Sequence, residues 1–254
     1  TTPVLTLTSA NTVNVDGTLT ATVSTTATGG RGGAITYAII AGSGSATVNA
    51  STGLVTGISV GTVTLTATSA GDTNYNVATT SQLITIGKTT PVLTITSANT
   101  INVDGALTAT VTTTATGGRG GAITYAIIAG SGSATVNAST GFITGISIGT
   151  VTLTATSAGD TNYNVATTSQ LITIGKTTPV LTITSANAVN VDGTLTATVS
   201  TTATNGRGGA FTYVLAAGSG SATINASTGL ITGVSIGTVT LTVTSAGDTN
   251  YNVT

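Results

Sequence analysis

Three observations predict an all-β fold made of small two-sheet sandwiches in tandem. The stretch GTVTLTATSAGDTNYNV begins at Gly61, returns unchanged at Gly149, and returns at Gly237 with Val243 in place of alanine, a spacing of 88 residues. Within it apolar residues alternate with threonine: Val63, Leu65 and Ala67 share one face of an extended chain, and Thr62, Thr64, Thr66 and Thr68 the other. Gly-rich and Asn-Ala-Ser-Thr-Gly turns interrupt the chain every several residues, and no window carries an apolar stripe at helical spacing.

Pro3, Pro91 and Pro179, each inside TTPVLT, set the register, and the expected domains are 1–88, 89–176 and 177–254. The third lacks a counterpart of TTSQLITIGK (Thr79–Lys88), so the chain reads as an excerpt of something longer. In the first repeat strands are expected over about 3–8, 18–25, 34–41, 45–49, 53–60, 61–69 and 79–87. Leu5 and Leu7, then Leu19, Ala21 and Val23, then Ile35, Tyr37 and Ile39, then Ile84 and Ile86 supply the alternation. Threonine is β-branched, so it favours extended backbone while offering water a hydroxyl. Turns are expected at Asp16-Gly17, Gly29–Gly33, Gly42–Ser45, Ser51–Gly53 and Gly71–Asn76. Short strands with one polar face suit a sandwich better than a closed barrel. A β-solenoid would show a repeat nearer 20–30 residues, and none is found inside the longer period. The linker GKTTP (Gly87–Pro91, Gly175–Pro179) permits bending but not free tumbling, giving a semi-rigid string.

Composition excludes several function classes. Only 4% of the 254 residues are charged, and three Arg, two Lys and six Asp give a net charge of −1. Nucleic acid and anionic membranes call for clustered positive charge, so neither is an expected partner. No apolar run is long enough to span a bilayer as a helix, and absent cysteine removes disulfides and thiolate chemistry. Regular Val, Ile and Leu within a 39% hydrophobic content argue against disorder.

GISVGTVTLTATSAGDTNYNVATTSQLITI resembles the closing half of bacterial immunoglobulin-like repeats, in which a Gly-Thr-Val-Thr-Leu-Thr strand leads into an Ala-Gly-Asp-x-Asn-Tyr loop and a final strand. The opening TPVLTLTS and VDGTLTATV are similar to that family's first two strands. The resemblance spans all three repeats, is most specific at Gly71–Val77, and in its Thr-rich, charge-poor flavour looks most like the giant gliding-motility adhesins of the Bacteroidetes. It implies tandem immunoglobulin-like sandwich domains arranged end to end, an extracellular cell-surface location, and a spacer or adhesive role without catalytic residues.

The residues themselves offer little chemistry. No histidine, cysteine or glutamate exists, a hydroxyl nucleophile has no base, and Asp16 and Asp72 lie in separate turns. No enzyme and no cofactor are therefore predicted. Asp72, Asn74 and Asn76, with Asp160, Asn162, Asn164 and Asp248, Asn250, Asn252, alternate as the first ligands of a calcium loop do, but Val77 and Leu83 stand where glycine and glutamate belong. The competing reading is an Asx turn in which Asp72 accepts backbone N–H groups while Tyr75 packs over the end of its sandwich. Arg31, Arg119 and Arg207 are lone cations in flexible Gly-rich connections and the candidate contacts for an acidic surface polysaccharide. Ranks of threonine raise ordered water or ice as a further candidate ligand, against the ordinary twist of sheets.

The function these readings support is a structural segment of a long secreted bacterial adhesin, partnered by neighbouring repeats of its own chain. The alternative is a self-assembling subunit of a filament or sheath, partnered by other copies of itself through unpaired strand edges. A glycan-binding accessory repeat is poorly served by two tyrosines per repeat plus Phe142 and Phe211.

Overall fold

The computed structural model describes residues 1–30 and 32–254, and every regular element among them is a β-strand. The first repeat contains β1 (Leu5–Leu7), β2 (Thr12–Asn14), β3 (Thr18–Thr20), β4 (Val23–Thr25), β5 (Ile35–Ala41), β6 (Ser45–Val48), β7 (Leu54–Ser59), β8 (Gly61–Ser69) and β9 (Ala78–Gly87). One sheet has the order β2-β9-β8-β5, a second the order β3-β7-β6, and β1 pairs with β4. The long central strand β8 runs antiparallel to both β5 and β9, while short β2 lies parallel to β9.

Alternation places the core as expected. Val63, Leu65 and Ala67 of β8 are fully buried, and Val63 and Leu65 cluster with Ile84 and Ile86 of β9 and Val55 of β7. The threonines between them stay half-exposed on the outer face. Each fully buried Val, Leu or Ile contributes about 1.5–3 kcal/mol, so these side chains dominate the packing.

Two differences from the sequence expectation concern sheet assignment. The stretch expected as one strand over 18–25 is two, interrupted at Ala21 and Thr22. β3 pairs with β7 and β4 with β1, while Ala21 N–H donates to Gly53 O and Thr22 O accepts from Thr8 N–H. Leu19, Ala21 and Val23 keep their alternation through the crossing because both layers bury the same side of the chain against one core. Periodicity is blind to such a switch. The strand β2 also went unexpected: its only apolar residue is Val13, and pairing with Thr85–Gly87 defines it.

The second repeat reproduces the four-stranded sheet, in the order Thr100–Asn102, Ala166–Gly175, Gly149–Ser157, Ile123–Ala129. In the third, Phe211–Ala217 pairs with Val239–Ser245, and Leu230–Ser235 lies between Thr194–Thr196 and Ser221–Ile224.

Compactness follows a different division from the sequence period. One unit comprises Thr1–Thr94, Val111–Thr124 and Ala155–Thr168; the other comprises Ile95–Thr110, Tyr125–Thr154 and Ser169–Thr254. The first unit thus unites the whole first repeat with two segments of the second, and what those segments carry explains why.

Candidate functional site: the junction between successive repeats

The loop that looked most specific in sequence builds a rigid turn. Asp160 Oδ1 accepts N–H bonds from Asn162 at 2.7 Å and Tyr163 at 2.8 Å, and Oδ2 accepts one from Gly120 at 2.8 Å. The Gly120 N–H holds the Asp160 carboxyl below its ordinary value; burial opposes this, and the Asn162 and Tyr163 N–H groups and the Arg119 charge add to it. Asp248 is lowered in the same way, first by Gly208. Gly121 (φ +80°) lies so close to Gly159 that a Cβ would collide with the Gly159 carbonyl. Only glycine allows that approach.

Fastened to its own repeat through Gly120, this turn reaches into the preceding sandwich. Tyr163, 1% exposed, enters the core of the first repeat beside Val13, Val15, Val55, Leu65 and Ile86. Its hydroxyl donates to Asp16 Oδ2 and accepts from Thr116 N–H at 3.1 Å. Thr116 Oγ1 donates to both Asp16 oxygens, at 3.0 and 3.2 Å. Arg119 closes the cluster: Nη1 donates to Ile58 O at 2.9 Å, Nε to Thr116 O at 3.1 Å, and Nη2 to Thr116 Oγ1 at 2.8 Å. Nη2 also lies 3.5 Å from Asp16 Oδ1, and the guanidinium sits 5.6 Å from the centre of the Tyr163 ring.

The linker is fastened too. Lys88 Nζ donates to Asp160 O at 2.6 Å, Thr89 N–H to Asn162 O at 3.1 Å, and Thr89 Oγ1 to Val15 O. Val60 N–H donates to Asn162 Oδ1 at 3.0 Å. In the second unit the same arrangement recurs: Tyr251 is buried beside Val103 and Ile143 with its hydroxyl on Asp104. Thr204, Arg207 on Ile146 O, Asn250 on Ile148 N–H and Lys176 on Asp248 O complete it.

The sequence candidates fall as follows. Arg31 lies outside the described residues. Arg119 and Arg207 are not lone cations on flexible tips: all their donor nitrogens bond within the junction, and each is about a quarter to a third exposed, 31% and 25%. The loop oxygens do not converge on one point. Asp160 faces backbone N–H groups and Asn162 faces Val60 N–H, while Asn164 Nδ2 donates to Thr90 Oγ1. Asp72 Oδ1 likewise accepts from Asn74 and Tyr75, Asn76 bonds Thr2, Asp248 takes up Gly208, Asn250 and Tyr251, and Asn252 bonds Thr178. The Asx turn is therefore present. Tyr75 is half-buried and its hydroxyl accepts from Thr28 N–H of its own repeat, whereas Tyr163 and Tyr251 enter the core of the preceding repeat. Outer threonine ranks are interrupted by Ile40 and Leu83, which flank Thr64 in one row at 64% and 58% exposure.

Sequence reasoning missed Asp16 and Asp104 as acceptors, reading them as turn formers. They are both: Asp16 sits at φ 61° and its N–H donates to Gly57 O, which aims its carboxylate at the neighbouring repeat. The available signal was a tyrosine in an otherwise polar loop, repeated at each period.

No curated protein matches the chain. Among solved structures, the fibronectin(III)-like modules of Clostridium thermocellum CbhA are 11% identical over 67% of this chain and 94% of theirs, with a TM-score of 0.27. Salmonella alpha-2-macroglobulin reacted with methylamine is 11% identical over 73% of this chain and 17% of its own, at 0.26. Sidekick-1 immunoglobulin domains 1–5 are 16% identical over 92% of this chain and 53% of theirs, at 0.28. Those scores are too low to carry weight. The family model for the bacterial Ig-like domain (group 2) matches residues 1–81 and 176–253, more than half of the sequence, and the chain belongs to that family.

Proposed function

We propose that the chain is a non-catalytic structural segment of a long, secreted bacterial cell-surface adhesin of the gliding-motility type, whose repeats hold a distal binding region away from the cell. Domains of this family are usually found in extracellular or surface proteins, which supports the location. The observation that carries the reading is Tyr163 buried in the preceding repeat's core, with its counterpart Tyr251. A tether that must transmit position or load needs junctions that do not swivel. A hinge closed by a buried ring, a carboxylate and an arginine resists swivelling better than a five-residue linker alone.

Intact cells of a host carrying the parent protein provide the test. Antibody against these repeats should label the surface, external protease should remove the label, and shortening the repeat array should reduce adhesion while leaving the distal region's own binding intact. Intracellular repeats, or adhesion independent of array length, would refute the role.

A further inference from the structure

We propose that Asn205-Gly206 is a self-modification site: the asparagine deamidates through a cyclic imide, and the isoaspartate that forms unfastens the junction between the second and third repeats. The inference rests on the junction geometry and not on the surface role above. Asparagine precedes glycine once in the chain, and it does so where the first two repeats have Gly29 and Gly117. Every other asparagine is followed by Thr, Val, Ala or Tyr. A side chain there hinders attack by its own backbone nitrogen, and glycine has none.

Thr204 to Arg207 form a tight turn closed by the Arg207 N–H on Thr204 O at 3.1 Å, with positive φ at both central residues, 55° at Asn205 and 69° at Gly206. Asparagine followed by glycine is the pair such a turn favours, and it is also the pair that reacts. Both residues are exposed, and a Cβ on Gly206 would meet nothing within 4 Å. Among the described residues no group accepts from the Gly206 N–H, so solvent base reaches it. The equivalent Gly29, Gly30, Gly117 and Gly118 are exposed as well, so the accessibility belongs to the turn and not to the third repeat's place in the chain.

The Gly206 nitrogen, on losing its proton to solvent, bonds to Cγ of Asn205. The Cγ–Nδ2 bond breaks, and the amide nitrogen takes up a proton and leaves as ammonia. Water then opens the cyclic imide at either carbonyl. One opening gives aspartate; the other gives isoaspartate, whose backbone runs through Cβ and Cγ and is one bond longer. That extra bond falls between the two residues that clasp the second repeat. Thr204 Oγ1 donates to Asp104 Oδ1 at 3.0 Å and Thr204 N–H to the Tyr251 hydroxyl at 3.2 Å. Arg207 Nη1 donates to Ile146 O at 2.9 Å and Nη2 to Thr204 Oγ1 at 2.9 Å. A two-residue turn of this kind has no slack for an insertion, so Thr204 and Arg207 cannot both keep their partners. The first junction, turned by Gly117 and Gly118, is immune.

Incubation of the intact chain in mildly alkaline buffer, followed by proteolysis and mass spectrometry, tests this. Isoaspartate, labelled by isoaspartyl methyltransferase, should accumulate at position 205 at least about tenfold faster than at any other asparagine, which takes only a small difference in barrier. Asn205→Gly, which restores the turn of the first two repeats, should abolish it. In hydrogen exchange the converted chain should lose protection of the Asp248–Tyr251 N–H groups while those of Asp160–Tyr163 keep theirs. Asn205→Asp adds the charge without lengthening the backbone and should keep both. Conversion no faster at Asn205 than elsewhere, or unchanged protection after full conversion, would overturn the proposal. So would lost protection in Asn205→Asp, since charge and not the longer backbone would then open the junction.

Discussion

A tyrosine ring buried in a neighbouring repeat leaves its hydroxyl to be matched, and at the first junction Asp16 matches it while Thr116 and Arg119 hold the carboxylate. Tyr163→Ala should cost about 3–5 kcal/mol, the range for emptying a buried aromatic site. Tyr163→Phe should cost about 1 kcal/mol, because Thr116 still donates to Asp16. Tyr75→Ala should cost much less, since that ring is half-buried and outside the core cluster; urea titration of the three variants checks the order. The Arg119–Asp16 ion pair is about a third exposed on both sides, so it adds at most about 1 kcal/mol by itself. Acid acts on the loop aspartates. The folded Asp160 and Asp248 carboxyls lie below their ordinary 3.8, so the stability they contribute is complete above that value and is lost as pH falls through the folded one. Melting temperature should drop below about pH 4, and Asp160→Asn should flatten that drop.

At the level of elements, alternation and backbone sterics divide the work. The strands β5 to β9 stand within a residue or two of their sequence expectation because Val63, Leu65, Ile84 and Ile86 alternate and Gly or Asx turns bound them. The break at Ala21 was hidden because both layers bury one side of the chain, and β2 was hidden because three residues show no period. Glycines of the junction loop make a matched test. Gly118 and Gly121 both have positive φ, at 71° and 80°, but a Cβ on Gly118 meets nothing within 4 Å whereas one on Gly121 strikes the Gly159 carbonyl. Gly118→Ala should cost about 1 kcal/mol for the left-handed backbone alone. Gly121→Ala should cost at least twice that and release Tyr163, seen as lost protection of the Asp160–Tyr163 N–H groups in hydrogen exchange.

For the molecule as a whole, the junction decides what unfolds with what. The loop bearing Tyr163 and the segment bearing Thr116 and Arg119 belong to the compact unit of the first repeat. Asp16→Ala removes the acceptor of two hydroxyls and should cost about 1–3 kcal/mol. It should also let the 155–168 segment exchange independently of β8, where the unaltered chain protects both together. By itself the sequence determined the 88-residue period, visible as its own repetition, and the strand class, the buried faces and the bonds of Asp160 to Asn162 and Tyr163, which depend on near neighbours along the chain. Only the tertiary structure decided that Ala21 crosses between layers, that Arg119 is bound and not solitary, and that Tyr163 belongs to the core before its own. Those outcomes join residues well apart in the chain, Ala21 to Gly53, Arg119 to Ile58 at 61 positions and Asp16 to Tyr163 at 147, and no local pattern of side chains encodes a partner at such distances.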